Sequence, residues 1–483
     1  MESCFRAALY VWGVIFMFIS LGLAAEPAQP GAHDVLNKSG QSDKETDPQV
    51  LKKLAWWQDL KFGLFMHWGA YSVWGSVESW PLVEVDHFGR DALPAWQQSG
   101  QDQQKFNAMY FALNKQFNPT KFDPDKWAAA AMGAGMKYVV FTTKHHDGFS
   151  MFDTKQSDYR ITHDSCPFHN YPRANVVKEV FDTFRRAGFG IGAYFSKADW
   201  HHPDYWDPQR PHPTRNVNYD TGKEPEKWSR FVNFVHAQIE ELMTDYGPVD
   251  ILWLDAGQVR PPQQDINMPK LASMARMHQP GLIVVDRTVG GRYENYLTPE
   301  QEVPAKALPY PWETCMTMGD QWSYKPNENY KSARKLIHLL VDIVAKGGNL
   351  LLNVGPNAEG ELPAEAVARL KEIGQWIKVN GEAIYGTRPV APYKAENICL
   401  TQKDEKVYLI YLAKEDQSNL PEEITVSVIN SARGLRMLGA DEPITWEISD
   451  KGLTIKPPKA VRENPPCEHA WAFELTEAKI RPR

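Results

Sequence analysis

Short apolar runs alternate with amphipathic helical patterns from residue 56 to residue 386, and this alternation constrains the fold more than any other feature. The runs have the length of buried strands and are bounded by turn residues. Strands are predicted at 62–67, 138–144, 191–196, 251–255, 282–286 and 349–354, with helices such as 175–187 and 226–246 between them. The pattern favours an α/β fold, with a (β/α)8-like barrel as the first choice and a doubly wound open sheet as the alternative.

The pattern changes after residue 386. Shorter runs at 407–412, 424–429, 445–448, 453–455 and 471–475 predict further strands. Ile424, Val426 and Val428 alternate with polar neighbours, as in a strand with one buried face. Residues 387–483 are therefore predicted to form a separate antiparallel β-sandwich, and residues 51–386 form the barrel.

The N-terminus has the pattern of a processing segment. Arg6 precedes an apolar run over 7–23, and the small residues Ala24 and Ala25 follow it. This predicts a secretory signal peptide over 1–25 and a polar linker over 26–50. The alternative is a retained membrane anchor, because the run approaches the roughly 17 residues of a short spanning helix.

Charge and cysteine content argue against a nucleic-acid-binding protein and against a cysteine metal cluster. The chain has 53 Lys and Arg against 60 Asp and Glu, a net charge of −7, which argues against a nucleic-acid partner. The four cysteines after the signal peptide are too scattered for a metal cluster. A disulfide between Cys399 and Cys467 remains open. The 17 tryptophans offer flat faces for ligands such as carbohydrate, besides filling the core.

Polar side chains follow several predicted strands. His67 ends the first, His145 and His146 follow the second, and Tyr194 lies near the end of the third. Asp255 comes after four apolar residues and directly before a glycine-containing turn. In a barrel, residues at the carboxyl ends of the strands face the active site. We therefore expect these side chains to converge there.

Two carboxylates that flank a glycosidic bond are the minimum apparatus for retaining glycoside hydrolysis. Asp255 is the candidate nucleophile. The loop 293–302 after the fifth predicted strand supplies Glu294, Glu300 and Glu302 as candidates for the general acid/base.

Four motifs carry a family resemblance. They are FGLFMHWG at 62–69, KHHDGF at 144–149, WLD at 253–255 and GGNLLLNVGP at 347–356. In this order they resemble the alpha-L-fucosidases of glycoside hydrolase family twenty-nine. The resemblance implies an irregular (β/α)8-like barrel, a C-terminal β-sandwich, and retaining hydrolysis of alpha-L-fucosides with no cofactor and no metal.

The resemblance also implies roles for individual residues. Asp255 matches the nucleophile, and Glu300 is favoured as the acid/base by its position before the landmark WETC at 312–315, with Glu302 and Glu294 as the alternatives. The residues implied to bind the sugar or line its pocket are His67, His145, His146, Tyr194, Arg287, Glu78 and Trp80. Ser79 separates Glu78 from Trp80, whereas the family often has the two types adjacent. Trp253 adds an aromatic wall of the kind that a deoxy sugar needs.

Two other functions remain open. A metal-dependent barrel hydrolase would use His145 and His146, which could share one ion only if their strand has already ended. A non-catalytic fucose-binding protein would keep the fold and lose hydrolysis. His201 and His202 are either surface histidines or part of the site for the leaving group.

The expected partner is a fucosylated oligosaccharide or glycoconjugate, with no nucleic acid and no membrane after signal cleavage. The expected location is secreted, either periplasmic or extracellular. The sandwich either covers the barrel or binds glycan. Neither the oligomeric state nor the fucosyl linkage is predicted.

Overall fold

The computed structural model describes residues 44–85 and 88–481. The predicted signal peptide and the first part of the predicted linker lie outside the described residues. Within the described ranges, no helix is long and apolar enough to cross a membrane.

A parallel sheet forms the centre of the first domain. Its strands are β1 Phe62–Met66, β2 Tyr138–Lys144, β3 Gly190–Ser196, β4 Ile251–Asp255, β5 Ile283–Asp286, β6 Glu313–Thr317 and β7 Asn349–Asn353. Their spatial order is β5-β4-β3-β2-β1-β7-β6, and every neighbouring pair is parallel. Because β7 lies beside β1, the strands curve round as in a barrel. The (β/α)8-like barrel is confirmed, and the doubly wound open sheet is wrong.

An irregular segment, 294–300, occupies the place of an eighth strand. Glu294 forms a bridge with Val285 of β5, whereas Glu300 forms a parallel bridge with Cys315 of β6. Backbone hydrogen bonds from Asn295 to β5 and from Cys315 to Pro299 support both edges, with N···O distances of 3.0 and 3.1 Å. The segment therefore closes the gap between β5 and β6.

The longer helices of the first domain pack outside the sheet through buried apolar residues. The helices are α1 Pro48–Leu60, α2 Pro94–Gln98, α3 Gln103–Phe111, α4 Pro124–Gly133, α5 Val176–Arg186, α6 Pro225–Thr244, α7 Met268–His278, α8 Ala333–Ala345, α9 Ala364–Asn380 and, after the barrel, α10 Lys459–Glu463. In α5, Val180, Phe181 and Phe184 are fully buried. Gly188 follows that helix with a φ of +82°, a conformation that ends helices readily.

The C-terminal strands form antiparallel sheets. They are β8 Arg388–Ala395, β9 Ile398–Lys403, β10 Lys406–Leu412, β11 Ile424–Val426, β12 Ile429–Ser431, β13 Gly434–Met437, β14 Thr445–Ser449, β15 Gly452–Lys456, β16 Ala470–Thr476 and β17 Lys479–Ile480. The sheets have the orders β13-β16-β10-β9-β8, β11-β15-β14 and β12-β17. The predicted antiparallel architecture is confirmed, although the run 424–429 is divided between β11 and β12.

The four described cysteines are free thiols, so the structure has no bridge between Cys399 and Cys467. Cys399 is buried in β9. The Cys467 Sγ instead accepts a hydrogen bond from the side-chain amide of Asn380 at 3.2 Å.

Candidate active site

A cavity opens at the carboxyl end of the barrel strands. The ten residues of the preferred predicted site all line it: Asp255, Glu300, His67, His145, His146, Tyr194, Trp80, Glu78, Trp253 and Arg287. They come from distant parts of the chain, and the parallel strands bring them to one edge of the sheet.

Asp255 is the last residue of β4, and its two carboxylate oxygens have different partners. The Tyr194 hydroxyl donates to Oδ2 at 2.7 Å, and Nη1 of Arg287 donates to Oδ1 at 3.2 Å. Nε2 of His146 lies 3.8 Å from Oδ2. Burial alone would raise the pKa of Asp255, but Arg287, His146 and Tyr194 outweigh it and hold the pKa well below its usual range. The group is therefore a carboxylate at neutral pH.

Arg287 connects the two candidate catalytic carboxylates. It follows β5, and its Nη2 pairs with Glu300 while its Nη1 contacts Asp255. The guanidinium carbon lies 5.1 Å from the centroid of the Trp253 ring, so an aromatic face supports it. The side chain of Asp255 is 15% exposed and that of Glu300 is 38% exposed. The two carboxylates therefore differ in depth, with Glu300 nearer the solvent.

The other two candidate glutamates are directed elsewhere. Glu294 accepts hydrogen bonds from the backbone N–H groups of Thr288 and Gly290 at 2.9 and 2.8 Å, so it shapes the turn after β5. Burial raises the pKa of Glu294 to about 7. Glu302 is exposed, and neither Glu294 nor Glu302 is among the residues that line the cavity.

Three histidines line one side of the cavity, and each has Nδ1 fixed by a neighbour. The Nδ1 of His67 forms a hydrogen bond with the side chain of Asn353 at 2.8 Å. The Nδ1 atoms of His145 and His146 form hydrogen bonds with the hydroxyl groups of Ser79 and Ser196, at 2.6 and 2.7 Å. These three contacts orient the rings. Burial lowers the pKa of all three, to about 4 for His67 and His146. The imidazoles are therefore neutral at neutral pH, and each can offer Nε2 to a hydroxyl.

Two of the three side chains in the segment 78–80 line the cavity, and the third holds a residue of the cavity in place. Glu78 and Trp80 line the cavity, whereas Ser79 binds His145. Oε1 of Glu78 accepts a hydrogen bond from the backbone N–H of Ser323 at 2.6 Å, and Oε2 is buried with no hydrogen-bond partner among the described residues. Burial raises the pKa of Glu78 to about 7. The separation of Glu78 from Trp80 is thus compatible with both lining the site.

Several lining residues were missed by the sequence reasoning. Phe65 and Trp322 add apolar wall, and their ring centroids are 5.8 Å apart. Trp322 belongs to a loop after β6, where no strand pattern pointed to it. The others are Arg215, Ala256, Gly257, Gln258, Thr288 and Cys315.

The positions of His145 and His146 bear on whether the cavity could hold a metal ion. β2 ends at Lys144, so His145 and His146 lie beyond the strand and both reach the cavity. Together with Asp255 they offer donor atoms within 4.8 Å of one another. Arg287, however, pairs with the same carboxylate, and its positive charge opposes a cation there. The charge arrangement therefore favours a neutral ligand.

His201 and His202 do not line this cavity. His201 stacks on Tyr159 with ring centroids 4.1 Å apart, and His202 lies 4.3 Å from the Phe234 ring. Their backbone N–H groups donate to the Asp199 carboxylate at 3.1 and 2.9 Å. Both histidines therefore have packing roles.

Comparisons with known proteins cover both parts of the chain. The family model described as Alpha-L-fucosidase matches residues 32–382, and that described as Alpha-L-fucosidase C-terminal domain matches 393–476. Human tissue alpha-L-fucosidase is 30% identical over 443 residues, covering 88% of this chain and 89% of the human protein.

Solved structures of alpha-L-fucosidases are also similar to this chain. Alpha-L-fucosidase isoenzyme 1 from Paenibacillus thiaminolyticus superposes with a TM-score of 0.73 at 30% identity, covering 90% of this chain and 100% of the other. A GH29 alpha-L-fucosidase from Bacteroides thetaiotaomicron, a trapped covalent intermediate in complex with 2-fluoro-fucosyl fluoride, gives 0.70 at 25% identity, covering 92% and 98%.

Proposed function

The chain belongs to the alpha-L-fucosidase family, and we propose that it releases alpha-linked L-fucose from fucosylated glycans as a retaining exo-glycosidase of glycoside hydrolase family 29. The observation that carries the proposal is the arrangement of Asp255 and Glu300 around Arg287 in one cavity. A deep ionised carboxylate and a second carboxyl group nearer the solvent are the two groups that double displacement requires.

In the first step, a carboxylate oxygen of Asp255 attacks the anomeric carbon while the bond to the leaving oxygen breaks. Glu300 gives its proton to that oxygen. In the second step, Glu300 takes a proton from water, the water oxygen bonds to the anomeric carbon, and the ester to Asp255 breaks. Two displacements give net retention. The low pKa of Asp255 supports the nucleophile role, because the group needs no base to become ionised.

Glu300 is the preferred acid/base because it lines the cavity and lies close to Asp255, as the Arg287 contact shared by the two carboxyl groups shows. Glu294 is occupied by two backbone N–H groups, and Glu302 lies outside the cavity lining. These positions leave both as weaker candidates.

The sugar is held by hydrogen-bonding groups and by aromatic walls that lie among them. His67, His145 and His146 bind hydroxyl groups through Nε2, and the unpartnered Oε2 of Glu78 accepts from another hydroxyl. Trp80 and Trp253 are the apolar walls, while Tyr194 and Arg287 hold Asp255. Alternating polar and apolar groups of this kind suit a deoxy sugar.

The domain limits remain proposals: a barrel over 51–386 and a sandwich over 387–483. The sandwich has its own apolar core, which includes Leu409, Leu453 and Phe473. Its other face packs on the barrel, where the indole N–H of Trp376 donates to the Ala470 carbonyl at 2.8 Å. This contact supports a covering role for the sandwich rather than glycan binding.

We also propose that the protein is secreted, to the periplasm or the medium, after cleavage near Ala25. The sequence pattern over 1–25 supports this location. Cleavage would leave a product that begins near Glu26, and N-terminal sequencing of the exported protein tests the site.

Hydrolysis assays test the function. The chain from Glu26 to Arg483 should release the aryl group from an aryl alpha-L-fucoside, and not from the beta-fucoside or the alpha-galactoside. Exhaustive chelation should leave the rate unchanged, and a loss would favour the metal-dependent alternative. Binding of L-fucose without any hydrolysis, including with natural oligosaccharides, would favour the non-catalytic sugar-binding alternative.

A further inference from the structure

The barrel interior beneath the cavity contains a buried carboxyl group. Glu313 is the first residue of β6 and is 0% exposed. Its Oε2 accepts a hydrogen bond from the Tyr138 hydroxyl of β2 at 2.6 Å, and its Oε1 accepts from the indole N–H of Trp253 of β4 at 3.2 Å. Tyr138 has room to cross the barrel because residue 63 is glycine, where a Cβ would collide with the ring. Alternate strands thus contribute one hydrogen-bonded layer.

The Trp253 ring is the link between this layer and the reacting groups. Tyr194 stacks on it with ring centroids 5.4 Å apart and an angle of 23° between the planes. The guanidinium of Arg287 lies over the same residue at 5.1 Å. Tyr194 and Arg287 are the two side chains that donate to the oxygens of Asp255. The Trp253 ring therefore contacts both donors.

We propose that Glu313 is a positioning residue for the hydrolysis: it fixes the Trp253 ring and thereby holds Tyr194 and Arg287 against Asp255. This inference rests on the proposed function of the cavity. Glu313 is not among the residues that line the cavity, so it acts without touching the sugar. Burial raises the pKa of Glu313 to about 7, because the charged form is poorly solvated in the barrel interior. A buried carboxyl group stabilises the fold less than a well-packed apolar side chain would at this position.

Variants that differ in hydrogen-bonding capacity test the role. Glu313→Met has a similar shape but offers no acceptor to Trp253, and we expect kcat to fall about 10- to 100-fold with KM within about threefold of the wild type. Glu313→Gln keeps an acceptor oxygen for Trp253 and should retain kcat within about threefold. Tyr138→Phe removes only the other hydrogen bond and is the matched control, with the same small effect expected.

A double-mutant cycle separates positioning from a general loss of stability. In a Trp253→Phe background the indole N–H is absent, so Glu313→Met should cause no further fall in kcat. If the losses of kcat in the two single variants instead multiply in the double variant, the proposal is overturned. A folded Glu313→Met enzyme with wild-type kcat would also overturn it. If that variant does not fold, Glu313→Asp gives the test, because its shorter side chain cannot reach Trp253 and kcat should fall at least about fivefold. Wild-type kcat in Glu313→Asp overturns the proposal.

The experiments distinguish a failure of the positioning role from a failure of the proposed function. An active wild type that loses hydrolysis in Asp255→Asn but not in Glu313→Met would leave the proposed function intact and reject only the positioning role. A wild type that hydrolyses no alpha-L-fucoside would reject the function itself.

Discussion

The hydroxyl group of Tyr194 lies 2.7 Å from Oδ2 of Asp255 and donates a hydrogen bond to it. Tyr194 is fully buried at the carboxyl half of β3, and Asp255 ends the adjacent strand β4. The register places Ser196 beside Asp255 and Tyr194 beside Trp253, so the tyrosine reaches up from one level deeper in the barrel. The contact stabilises the carboxylate form of Asp255.

Tyr194→Phe removes that hydrogen bond. A hydrogen bond to a charged group contributes about 1.5–3 kcal/mol, so kcat/KM should fall roughly 10- to 100-fold. Because Tyr194 helps to lower the pKa of Asp255, its loss should raise that pKa and move the acid limb of the pH–rate profile to higher pH. Tyr246→Phe, which removes a hydroxyl that accepts from the Asp153 N–H far from the cavity lining, should leave both quantities unchanged. An unshifted acid limb in Tyr194→Phe would contradict this account.

Asp255→Ala should lower kcat about 10⁴-fold or more, because no other group can form the glycosyl ester. Added azide should restore turnover of an aryl alpha-L-fucoside and give the beta-fucosyl azide, since a single displacement inverts the anomeric carbon. Asp250→Asn is a control immediately before the same strand, where Asp250 pairs with Lys53 at 2.5 Å. It should keep wild-type kcat, and near-native turnover in Asp255→Ala would sink the nucleophile assignment.

Glu300→Ala should lower turnover of natural fucosides about 10²- to 10⁴-fold, the range expected for lost general acid/base catalysis. Aryl fucosides with good leaving groups should be affected less in the first step, because they need little protonation. Azide should then yield the alpha-fucosyl azide, since it attacks the glycosyl-enzyme. Glu302→Ala is the matched control and should retain activity within about threefold. The same azide product from Glu302→Ala and not from Glu300→Ala would transfer the role to Glu302.

The barrel was predictable where strands are continuously apolar. The six predicted strands agree with β1–β5 and β7 to within one residue at each end. β6 was missed because Glu313, Thr314 and Thr317 interrupt its apolar character, although all five of its residues are buried. The polar side chains of that strand pack inside the barrel, where Tyr138 and Trp253 satisfy Glu313. Only the tertiary structure supplies those partners.

The candidate site was predictable where residues end a strand or follow it closely. His67, His145, His146 and Asp255 are of this kind, and all four line the cavity. Phe65 lies within β1, where sequence alone gives it only a core role, and Trp322 lies in a loop with no periodic pattern. In the sandwich, β8, β9, β13 and β17 were not predicted. In β8, exposed and half-buried residues mask the alternation.

Glu78 should make folding stability depend on pH. Burial raises its pKa from 4.5 to about 7, so the folded protein binds the proton more tightly than the unfolded chain. The associated stability is fully present below pH 4.5 and is lost as the pH rises through about 7. Relative to the wild type, Glu78→Gln should therefore gain about 3 kcal/mol on going from pH 4 to pH 8. Urea unfolding at both pH values measures this, with the surface variant Glu302→Gln as control. Equal differences at the two pH values would refute it.

The cysteines should react with a thiol reagent as free thiols. Cys166, Cys315 and Cys399 are buried and Cys467 is half-buried, so the native protein should react slowly with a thiol reagent. After unfolding without reductant, the chain from Glu26 onward should give four thiols per molecule. Reductant should not change the melting temperature. Two thiols instead of four would indicate that Cys399 and Cys467 are paired.

Covalent trapping tests double displacement through Asp255. The Glu300→Gln variant should be incubated with 2-fluoro-fucosyl fluoride, whose fluorine slows both displacements, and then digested for peptide mass spectrometry. We expect one fluorofucosyl group per chain, attached to Asp255 and absent from the Asp255→Asn, Glu300→Gln double variant. A label on any other residue, or hydrolysis by the wild type with inversion and no label, would contradict double displacement through Asp255.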